Sequence, residues 1–400
     1  PRLPQTQPQS RKRPARRVGG VRACISCPMR VMFDAGPCVG RIHVRAVLSP
    51  ISAMAAAPRV SIVIVSWNAR SLLERCLPSV LATDYPNIEV LLADNASTDG
   101  SAAWHAREHP SVTIVRHPEN WLFARGNNAA LPHATGEYVV LLNNDVEVPP
   151  DWLDPLVDVL ETHPDVGAVQ PKLLQYDDRE RFEYAGAAGG YLDRVGYPFT
   201  RGRLFDTMEP DQGQYDAAQD VFWATGAALM LRRSALEEVG LLDERFRMHM
   251  EEIDLCWRLW RHGYRVRAEP KSEVYHIGGA SLPQSSPRKT YYNFRNSLLM
   301  LYKNLPPQSW RRTLPLRMLC DAAAIGRTLA AGHLDEAAAI LRAYRDAVRM
   351  QGHYSSVRPD PGTVPVHPPY RGLIAVDYFL RGRTTFDALP ADRFRMPGRN

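Results

Sequence analysis

Four short apolar segments constrain most strongly what this 400-residue chain can fold into. They begin at Val60, Ile88, Val112 and Tyr138, and helical patterns separate them. Runs of this length that are rich in Val, Ile and Leu predict buried strands. Because short strands alternate with helices, the sequence predicts an α/β fold in which helices flank a mostly parallel sheet.

Three of these segments run into an amide or a carboxylate, at Asn68, Asp94 and Asp145. One such ending predicts only a turn, since Asn and Asp are common turn residues. Right-handed crossovers, however, bring successive carboxyl ends to one edge of a parallel sheet, where the ligands of open α/β folds bind. We therefore expect a ligand or metal site at this edge. No G-x-G-x-x-G pattern follows the first strand and no P-loop pattern occurs. The sequence therefore lacks the phosphate-binding loops of the common dinucleotide-binding and P-loop folds.

The basic character of the chain is concentrated in its first residues. The formal net charge is +6, but residues 1–53 carry ten Lys or Arg and one acid, Asp34, which leaves 39 basic and 42 acidic residues elsewhere. This segment is rich in Pro and Arg without an apolar period, so we expect residues 1–57 to be a disordered basic extension. A natural start at Met54 would make most of it foreign to the native protein. We expect no nucleic acid partner; salt-sensitive nucleic-acid binding by this segment is the alternative.

After residue 150 the pattern is less regular. Residues 176–220 are typical of a long irregular binding region, and residues 221–230 predict a strand. Residues 251–260 predict a helix, and residues 265–268 and 272–276 predict two short strands. Residues 58–305 would then form the α/β domain, followed by a helical extension with an irregular tail over residues 306–400.

Two further features concern location. No apolar stretch is long enough to predict a membrane span. Three cysteines, Cys76, Cys256 and Cys320, lie in helical patterns, which is typical of free thiols in a reducing compartment. We therefore expect a cytoplasmic protein.

Six motifs in order resemble those of family-two inverting glycosyltransferases, and most closely the rhamnosyltransferase-like branch. They are DNASTDGS (94–101), NWLFARGNN (120–128), LLNNDV (141–146), TGAALMLRR (225–233), MEEIDLCWR (250–258) and HIGGAS (276–281). The resemblance runs from about Val60 to about Pro306. It implies a GT-A type fold and transfer of a sugar from a nucleoside-diphosphate sugar to an acceptor hydroxyl, in surface polysaccharide or cell-wall glycan assembly. The branch points to dTDP-rhamnose as donor.

The segment Asn143-Asn144-Asp145 occupies the place of the family's Asp-x-Asp metal motif. The resemblance implies that Asp145 binds a divalent cation on the donor phosphates, that Asn143 and Asn144 lie beside the nucleotide, and that His276 completes the metal shell. One carboxylate with phosphate oxygens suits Mg²⁺ or Mn²⁺, and a His ligand favours Mn²⁺. Because Asn143 replaces the first Asp, we expect weak metal binding without nucleotide. The alternative for His276 is a hydrogen-bonded strand-end histidine.

Other matched positions concern the donor nucleotide. Asp94 matches the residue that hydrogen-bonds the base, and Ser66 and Asn68 would line the same pocket; simple turn residues are the alternative. Arg125 either contacts donor phosphate or is a solvated charge. Leu122 stands where the family usually has Gly, so a positive φ there would be strained.

Glu251 and Glu252 match a Glu-Asp pair whose second member is the catalytic base. We therefore expect Glu252 to be the base, with Glu251 as the other candidate. Acids that only complement a helix dipole are the alternative. The substitutions Asn143 and Glu252 also leave open a non-catalytic sugar-nucleotide-binding relative. Asp254 and Arg258 are expected to form an ion pair.

The C-terminal region predicts amphipathic helices with Arg on their polar faces. They would pack on the catalytic domain or a second subunit, which we favour, or lie on an anionic membrane surface. The expected partners are a nucleoside-diphosphate sugar and a glycan or lipid-linked acceptor, with peripheral association at the inner face of the cell membrane as the corresponding alternative.

Overall fold

A computed structural model describes residues 57–278, 286–360 and 366–398. The expected basic extension, apart from Ala57, lies outside the described residues. The strands are β1 (Val60–Ser66), β2 (Ile88–Asp94), β3 (Thr113–Arg116), β4 (Tyr138–Asn143), β5 (Val146–Glu147), β6 (Val166–Gln175), β7 (Gly190–Leu192), β8 (Pro198–Thr200), β9 (Arg203–Leu204), β10 (Thr207–Met208), β11 (Gln219–Asp220), β12 (Ala228–Arg232) and β13 (Arg265–His276).

The α-helices alternate with these strands in the first half and follow them in the second. They are α1 (Arg70–Leu81), α2 (Ser101–Glu108), α3 (Leu122–Ala130), α4 (Leu153–Thr162), α5 (Arg233–Val239), α6 (Glu251–Arg261), α7 (Pro287–Asn304), α8 (Pro307–Ala330) and α9 (Leu334–Met350). The predicted α/β class is thereby confirmed.

A nine-stranded sheet forms the centre of the described structure. Its first four strands pair in parallel in the order β4-β1-β2-β3, as the apolar segments predict. The other half is mixed, because β12 runs antiparallel to β4 and β6 while β13 runs parallel to β6. The short strands β5 and β11 pair antiparallel with β13. The carboxyl ends of β1, β2 and β4 therefore share one edge, as expected.

Three local predictions are corrected. Residues 176–220 contain a second, four-stranded sheet (β10-β9-β8-β7) instead of an irregular region. Of the strand predicted over 221–230, only residues 228–230 are extended, and they belong to β12, which continues to Arg232. The upstream residues are apolar because they fill the core under α6, where Trp260 Nε1 donates to the carbonyls of Val221 and Phe222 at 3.3 and 3.1 Å. The two strands predicted within 265–276 are one strand, β13, with register shifts.

The C-terminal helices pack on the rest of the described structure, as favoured. A buried ion pair between Arg317 and Asp321 in α8 anchors them, with Arg317 Nε 2.8 Å from Asp321 Oδ2. Arg317 also donates to Ser297 Oγ in α7 (2.7 Å), and Tyr344 in α9 donates to Asp321 (2.5 Å). Within 57–278, 286–360 and 366–398, no helix has the length and apolar character needed to cross a membrane.

The described C-terminal residues 366–398 contain a five-residue π-helix (Val376–Leu380), two 3₁₀ turns and isolated bridges, and they pack on the small sheet region. Asp193 Oδ2 accepts a hydrogen bond from the Ile374 amide at 3.0 Å, and the Asp193 backbone bridges to Tyr370. The tail is irregular in secondary structure but ordered by these contacts. The division of the chain at residue 305 stays a prediction.

Candidate active site

The ends of β1 and β2 bring together the residues expected around the nucleotide. Ser66 is buried, and its hydroxyl accepts a hydrogen bond from Asn144 Nδ2 at 3.2 Å. Asn68 has a φ of 47° and accepts from the Thr98 amide at 2.7 Å, so it ties the loop after β1 to the loop after β2. Asp94 is buried and accepts one long bond from the Ser97 amide at 3.3 Å. These groups line one polar edge.

Two residues of this edge were not singled out from the sequence. Trp67 lies between Ser66 and Asn68 and is 52% exposed, which is unusual for a Trp at the end of a buried strand. Asn95 is buried; its Oδ1 lies 2.9 Å from His117 Nδ1, and its Nδ2 donates to the Leu122 carbonyl at 3.1 Å. Asn95 therefore fixes the entry to α3.

The loop before α3 shows the strain anticipated at Leu122, whose φ is 60°. A residue with a Cβ is disfavoured in this region, and the Asn120 side chain helps to hold it by accepting from the Leu122 amide at 2.9 Å. Arg125 is about half exposed and stacks on Trp121, with 3.9 Å between its guanidinium carbon and the ring centroid. It also lines a cavity of about 480 Å³ with Trp121 and Glu244. Contact of Arg125 with donor phosphate stays a prediction.

The strongest electrostatic feature is a buried row of Asp145, His276 and Glu183. His276 Nε2 lies 3.0 Å from Asp145 Oδ1, and Nδ1 lies 3.2 Å from Glu183 Oε2. The Nδ1 contact is an ion pair and not an aligned hydrogen bond. Burial would lower the pKa of His276, but Glu183 and Asp145 outweigh burial and raise it to about 10. In the absence of a cation, His276 is therefore an imidazolium between two carboxylates.

Asp145 and His276 fit the expected cation as a pair of ligands. Their 3.0 Å separation matches two adjacent ligands each about 2.1 Å from one ion. A metal would replace the proton that Nε2 now shares with Asp145. Glu183 at the other ring nitrogen is the kind of partner that orients a ligating histidine. Among the described residues no three acidic, His or Cys side chains form a group that could hold a metal ion.

The neighbouring amides complete this part of the site. Asn143 Nδ2 lies 3.5 Å from His276 Nε2, and the Ile277 amide donates to the Asp145 carbonyl at 3.0 Å. Glu183 was missed from the sequence because it lies in the segment interpreted as irregular. A residue 93 positions before His276 in an unassigned segment carries no local signal.

Glu251 and Glu252 begin α6 directly after a strained turn. His249 and Met250 have φ values of 67° and 72°. Glu251 is fully buried, and burial together with the charge of Glu252 raises its pKa well above the ordinary value. Glu252 is half-buried, and desolvation raises its pKa to about 7. Among the described residues, neither Oε2 atom has a hydrogen-bond partner.

A short path connects Glu252 to the expected metal motif. The Asn143 amide donates to the Ala227 carbonyl at 2.9 Å. Next to Ala227, a Cβ on Gly226 would lie 3.7 Å from Glu252 Cβ and 3.0 Å from the Phe123 ring. Gly226 therefore leaves room for Phe123 of α3 and the start of α6 at Glu252 to approach the backbone that pairs with Asn143 at the end of β4.

The turn before α6 is held from α7 by residues that the sequence did not mark. Asn296 Nδ2 lies 2.9, 2.8 and 2.7 Å from the carbonyl oxygens of Phe246, Met248 and His249. Arg295 Nη2 donates to the Phe246 carbonyl at 3.0 Å. Because each bond ends on the turn that leads into Glu251, α7 positions the two acids.

The ion pair expected between Asp254 and Arg258 is confirmed, at 2.9 Å. Asp254 also receives Lys303 Nζ and Asn304 Nδ2, each at 2.8 Å. Burial would raise the pKa of Asp254, but Lys303 and Arg258 lower it to about 2. Asp254 therefore fastens α6 to α7 as an ionised group.

Comparison with known proteins gives a consistent result. The profile described as glycosyl transferase family 2 matches residues 61–240. An O-antigen biosynthesis protein of Myxococcus xanthus is 34% identical over 230 residues, which cover 56% of this chain and only 18% of that protein. An N-acetylglucosaminyl-diphospho-decaprenol L-rhamnosyltransferase of Mycobacterium tuberculosis is 32% identical over 231 residues, which cover 54% of this chain and 75% of that protein.

Solved structures with related chains are more distant. GalNAc-T7 with UDP, GalNAc and Mn²⁺ has a TM-score of 0.48 at 18% identity, covering 62% of this chain and 48% of that chain. A mannosyltransferase from Pyrobaculum calidifontis in complex with GDP-Man and Mn²⁺ has a TM-score of 0.46 at 22% identity, covering 75% and 86%.

Proposed function

This chain belongs to glycosyl transferase family 2, and on that premise we propose that it is an inverting, metal-dependent glycosyltransferase. It would transfer a sugar from a nucleoside-diphosphate sugar to an acceptor hydroxyl in surface polysaccharide or cell-wall glycan assembly. The observation that supports the proposal is the buried Asp145–His276 pair at the end of the sheet, with Glu252 packed beside Gly226, whose neighbour Ala227 pairs with Asn143.

The donor would bind across the ends of β1, β2 and β4. Asp94 would accept a hydrogen bond from an N–H group of the nucleotide base, and Ser66 and Asn68 line the same edge. Asp145 and His276 would hold Mg²⁺ or Mn²⁺, which supplies positive charge to the diphosphate leaving group. The buried position of this pair keeps the interaction in a medium where charges are weakly screened.

Glu252 would act as the base. With a pKa of about 7, it is ionised in a large fraction of molecules near neutral pH and still basic enough to accept a proton. The acceptor oxygen forms a bond to the anomeric carbon while the bond from that carbon to the diphosphate oxygen breaks. The acceptor proton moves to Glu252, and attack opposite the leaving group inverts the centre. Burial and the charge of Glu252 raise the pKa of Glu251 well above its ordinary value, which favours its neutral form beside the base.

The proposed sugar and acceptor are based on the activities for which two similar proteins are named. One is named for transfer of L-rhamnose to a decaprenol-linked acceptor, and another for O-antigen biosynthesis. We propose rhamnose, carried as dTDP-rhamnose, as the sugar and a lipid-linked glycan as the acceptor. A screen of dTDP-, UDP- and GDP-sugars tests this, and turnover with a UDP- or GDP-sugar alone would contradict it.

Two matched variants test the base. Glu252→Gln should lower kcat by about 10²–10⁴-fold with donor nucleotide affinity retained. Glu251→Gln should lower kcat much less, because burial favours the neutral form of Glu251 and glutamine resembles that form. Wild-type activity should rise with pH through about 7, because deprotonation of Glu252 activates the enzyme. The opposite ranking of the variants would exchange the two roles; nucleotide binding without turnover of any donor would favour the non-catalytic relative.

The exposed face of α8 supports a place at the inner surface of the cell membrane. Its only acid, Asp321, is buried against Arg317, so the exposed charges of this helix are basic. Leu319, at 68% exposed, is the most accessible of its large apolar residues. The face comprises Arg311, Arg312, Met318, Leu319, Arg327 and Leu329. Basic charge beside exposed apolar side chains is complementary to an anionic lipid surface.

Vesicle flotation tests this placement. The full chain should float with vesicles that contain phosphatidylglycerol and not with phosphatidylcholine alone, and Arg311→Gln with Arg312→Gln should weaken flotation. Failure to float with either vesicle would contradict a membrane position, and a stable dimer in its place would assign the face to a second copy of the chain.

A further inference from the structure

Three cations near the site lie beyond ion-pair distance of every carboxylate in the described residues, although the charge of Glu183 acts on one of them, Lys289. They are Arg203 in β9 and Arg288 and Lys289 at the start of α7, and none forms an ion pair there. Arg203 and Lys289 both face the ring of Tyr184, at 4.2 and 5.1 Å from its centroid. Two positive groups thus converge on one aromatic side chain, with a third beside Lys289 in the sequence.

This cluster is costly unless an anion occupies it. Arg203 is only 7% exposed, and its Nε has no hydrogen-bond partner in the described structure. Burial and the neighbouring Arg203 lower the pKa of Lys289, and the opposing charge of Glu183 does not offset them. Residues 279–285, which precede α7, contain no acidic side chain. Buried charges are normally paired, so the arrangement calls for an anionic ligand, and a phosphate suits guanidinium and ammonium donors.

The cluster lies between the two halves of the site. Tyr184 follows Glu183, which contacts the side of His276 that faces away from Asp145. On the other side, burial and the charges of Lys289 and Arg288 lower the pKa of His249, two residues before Glu251, to about 4. A phosphate here would therefore lie on the Glu183 side of His276, away from Asp145, and near the turn that leads into Glu251, where we expect the acceptor to enter.

We propose that Arg203, Arg288 and Lys289 form a phosphate-binding site for the acceptor, and that the acceptor is a phosphate or diphosphate ester whose sugar hydroxyl reaches Glu252. This inference rests on the proposed function and specifies its acceptor class. The site holds the acceptor phosphate by charge and hydrogen bonding and takes no part in bond breaking. The donor diphosphate could supply the same phosphate group to these cations. Saturating the donor site with nucleotide before the titration distinguishes an acceptor phosphate from the donor diphosphate.

The test is calorimetric titration of the full chain with inorganic pyrophosphate and with geranyl diphosphate, in the presence of Mn²⁺ and a saturating nucleoside diphosphate. Both probes should bind the nucleotide-saturated protein, and Lys289→Ala should weaken them by tenfold or more. Lys289→Arg should retain binding. Lys271→Ala, which changes an exposed lysine in β13, should leave binding unchanged. Without any ligand, Lys289→Ala should not lower Tm, because it removes an unpaired cation.

Two results would overturn the assignment. In the first, the probes do not bind the nucleotide-saturated protein and Lys289→Ala loses nucleotide affinity. The three cations would then bind the donor diphosphate. The other is unchanged probe binding in Lys289→Ala. If no nucleotide binds at all, the proposed function fails, but titration of the nucleotide-free protein with pyrophosphate still decides whether Lys289 belongs to an anion site.

Discussion

Replacing Asn296 by alanine should both destabilise the protein and disable its proposed base. The buried Nδ2 of Asn296 lies within 3.0 Å of three carbonyl oxygens of the turn before α6. The Phe246 carbonyl keeps Arg295 as a donor in the variant, whereas the carbonyls of Met248 and His249 lose this contact. Each buried acceptor left without a partner costs about 1–3 kcal/mol, so the loss of two should lower the free energy of unfolding by about 2–6 kcal/mol.

The effect on turnover follows from strain in the same turn. Arg247, His249 and Met250 have φ values between 67° and 72°, and each such residue costs on the order of 1–3 kcal/mol that its surroundings must offset. Without Asn296 the turn should relax and move Glu252. Turnover should therefore fall by more than tenfold, while nucleotide affinity at the ends of β1 and β2 should stay within twofold.

Urea unfolding and donor titration measure the two effects separately. Asn87→Ala is the matched control, because Asn87 is half-buried and its Nδ2 donates one hydrogen bond, to the Ala57 carbonyl. That control should cost about 1 kcal/mol and leave turnover unchanged. A loss below about 1 kcal/mol in Asn296→Ala, with normal turnover, would refute the view that α7 positions the acids.

Two further changes probe the core around the site. Asp254→Asn should destabilise by about 3–5 kcal/mol, because Lys303 and Arg258 would lose a buried countercharge, as urea unfolding would show. The folded-state pKa of Asp254, about 2, lies below the ordinary value of about 4. The contribution of Asp254 to stability is therefore complete above about pH 4 and is lost as pH falls toward 2. In this pH range the stability of the wild type should fall more steeply than that of the variant. Gly190→Ala should lower stability by at least about 1–3 kcal/mol, since a Cβ there would lie 2.0 Å from the Trp223 ring, and an unchanged Tm would contradict this packing.

The first half of the fold was predictable from the sequence because its signals are local. The apolar segments that begin at Val60, Ile88 and Tyr138 are short, rich in branched residues and separated by helical patterns, and they form the parallel strands β1, β2 and β4. Their order also predicted that their polar carboxyl ends would share one edge of the sheet. The positive φ at Leu122 followed from the missing glycine.

Other features depend on contacts between distant residues. Residues 221–227 are apolar because they are buried under α6, and burial alone does not distinguish a strand from an irregular core segment. Glu183 enters the site only through the fold of residues 176–220. Asn296 has no local signal, since its role is defined by carbonyls about 50 residues earlier.

The most direct test of the account is a thermal-shift measurement with UDP, dTDP and GDP, each with and without Mn²⁺, on wild type and Asp145→Asn. A ligand that binds only the folded state stabilises it and so raises Tm. At a ligand concentration of 100 times Kd, the added stability is about 2.7 kcal/mol. One nucleotide should raise the Tm of wild type only when Mn²⁺ is present, and should leave Asp145→Asn unchanged. Equal shifts without metal or in the variant, or no shift with any nucleotide, would contradict a metal-dependent donor site at Asp145 and His276.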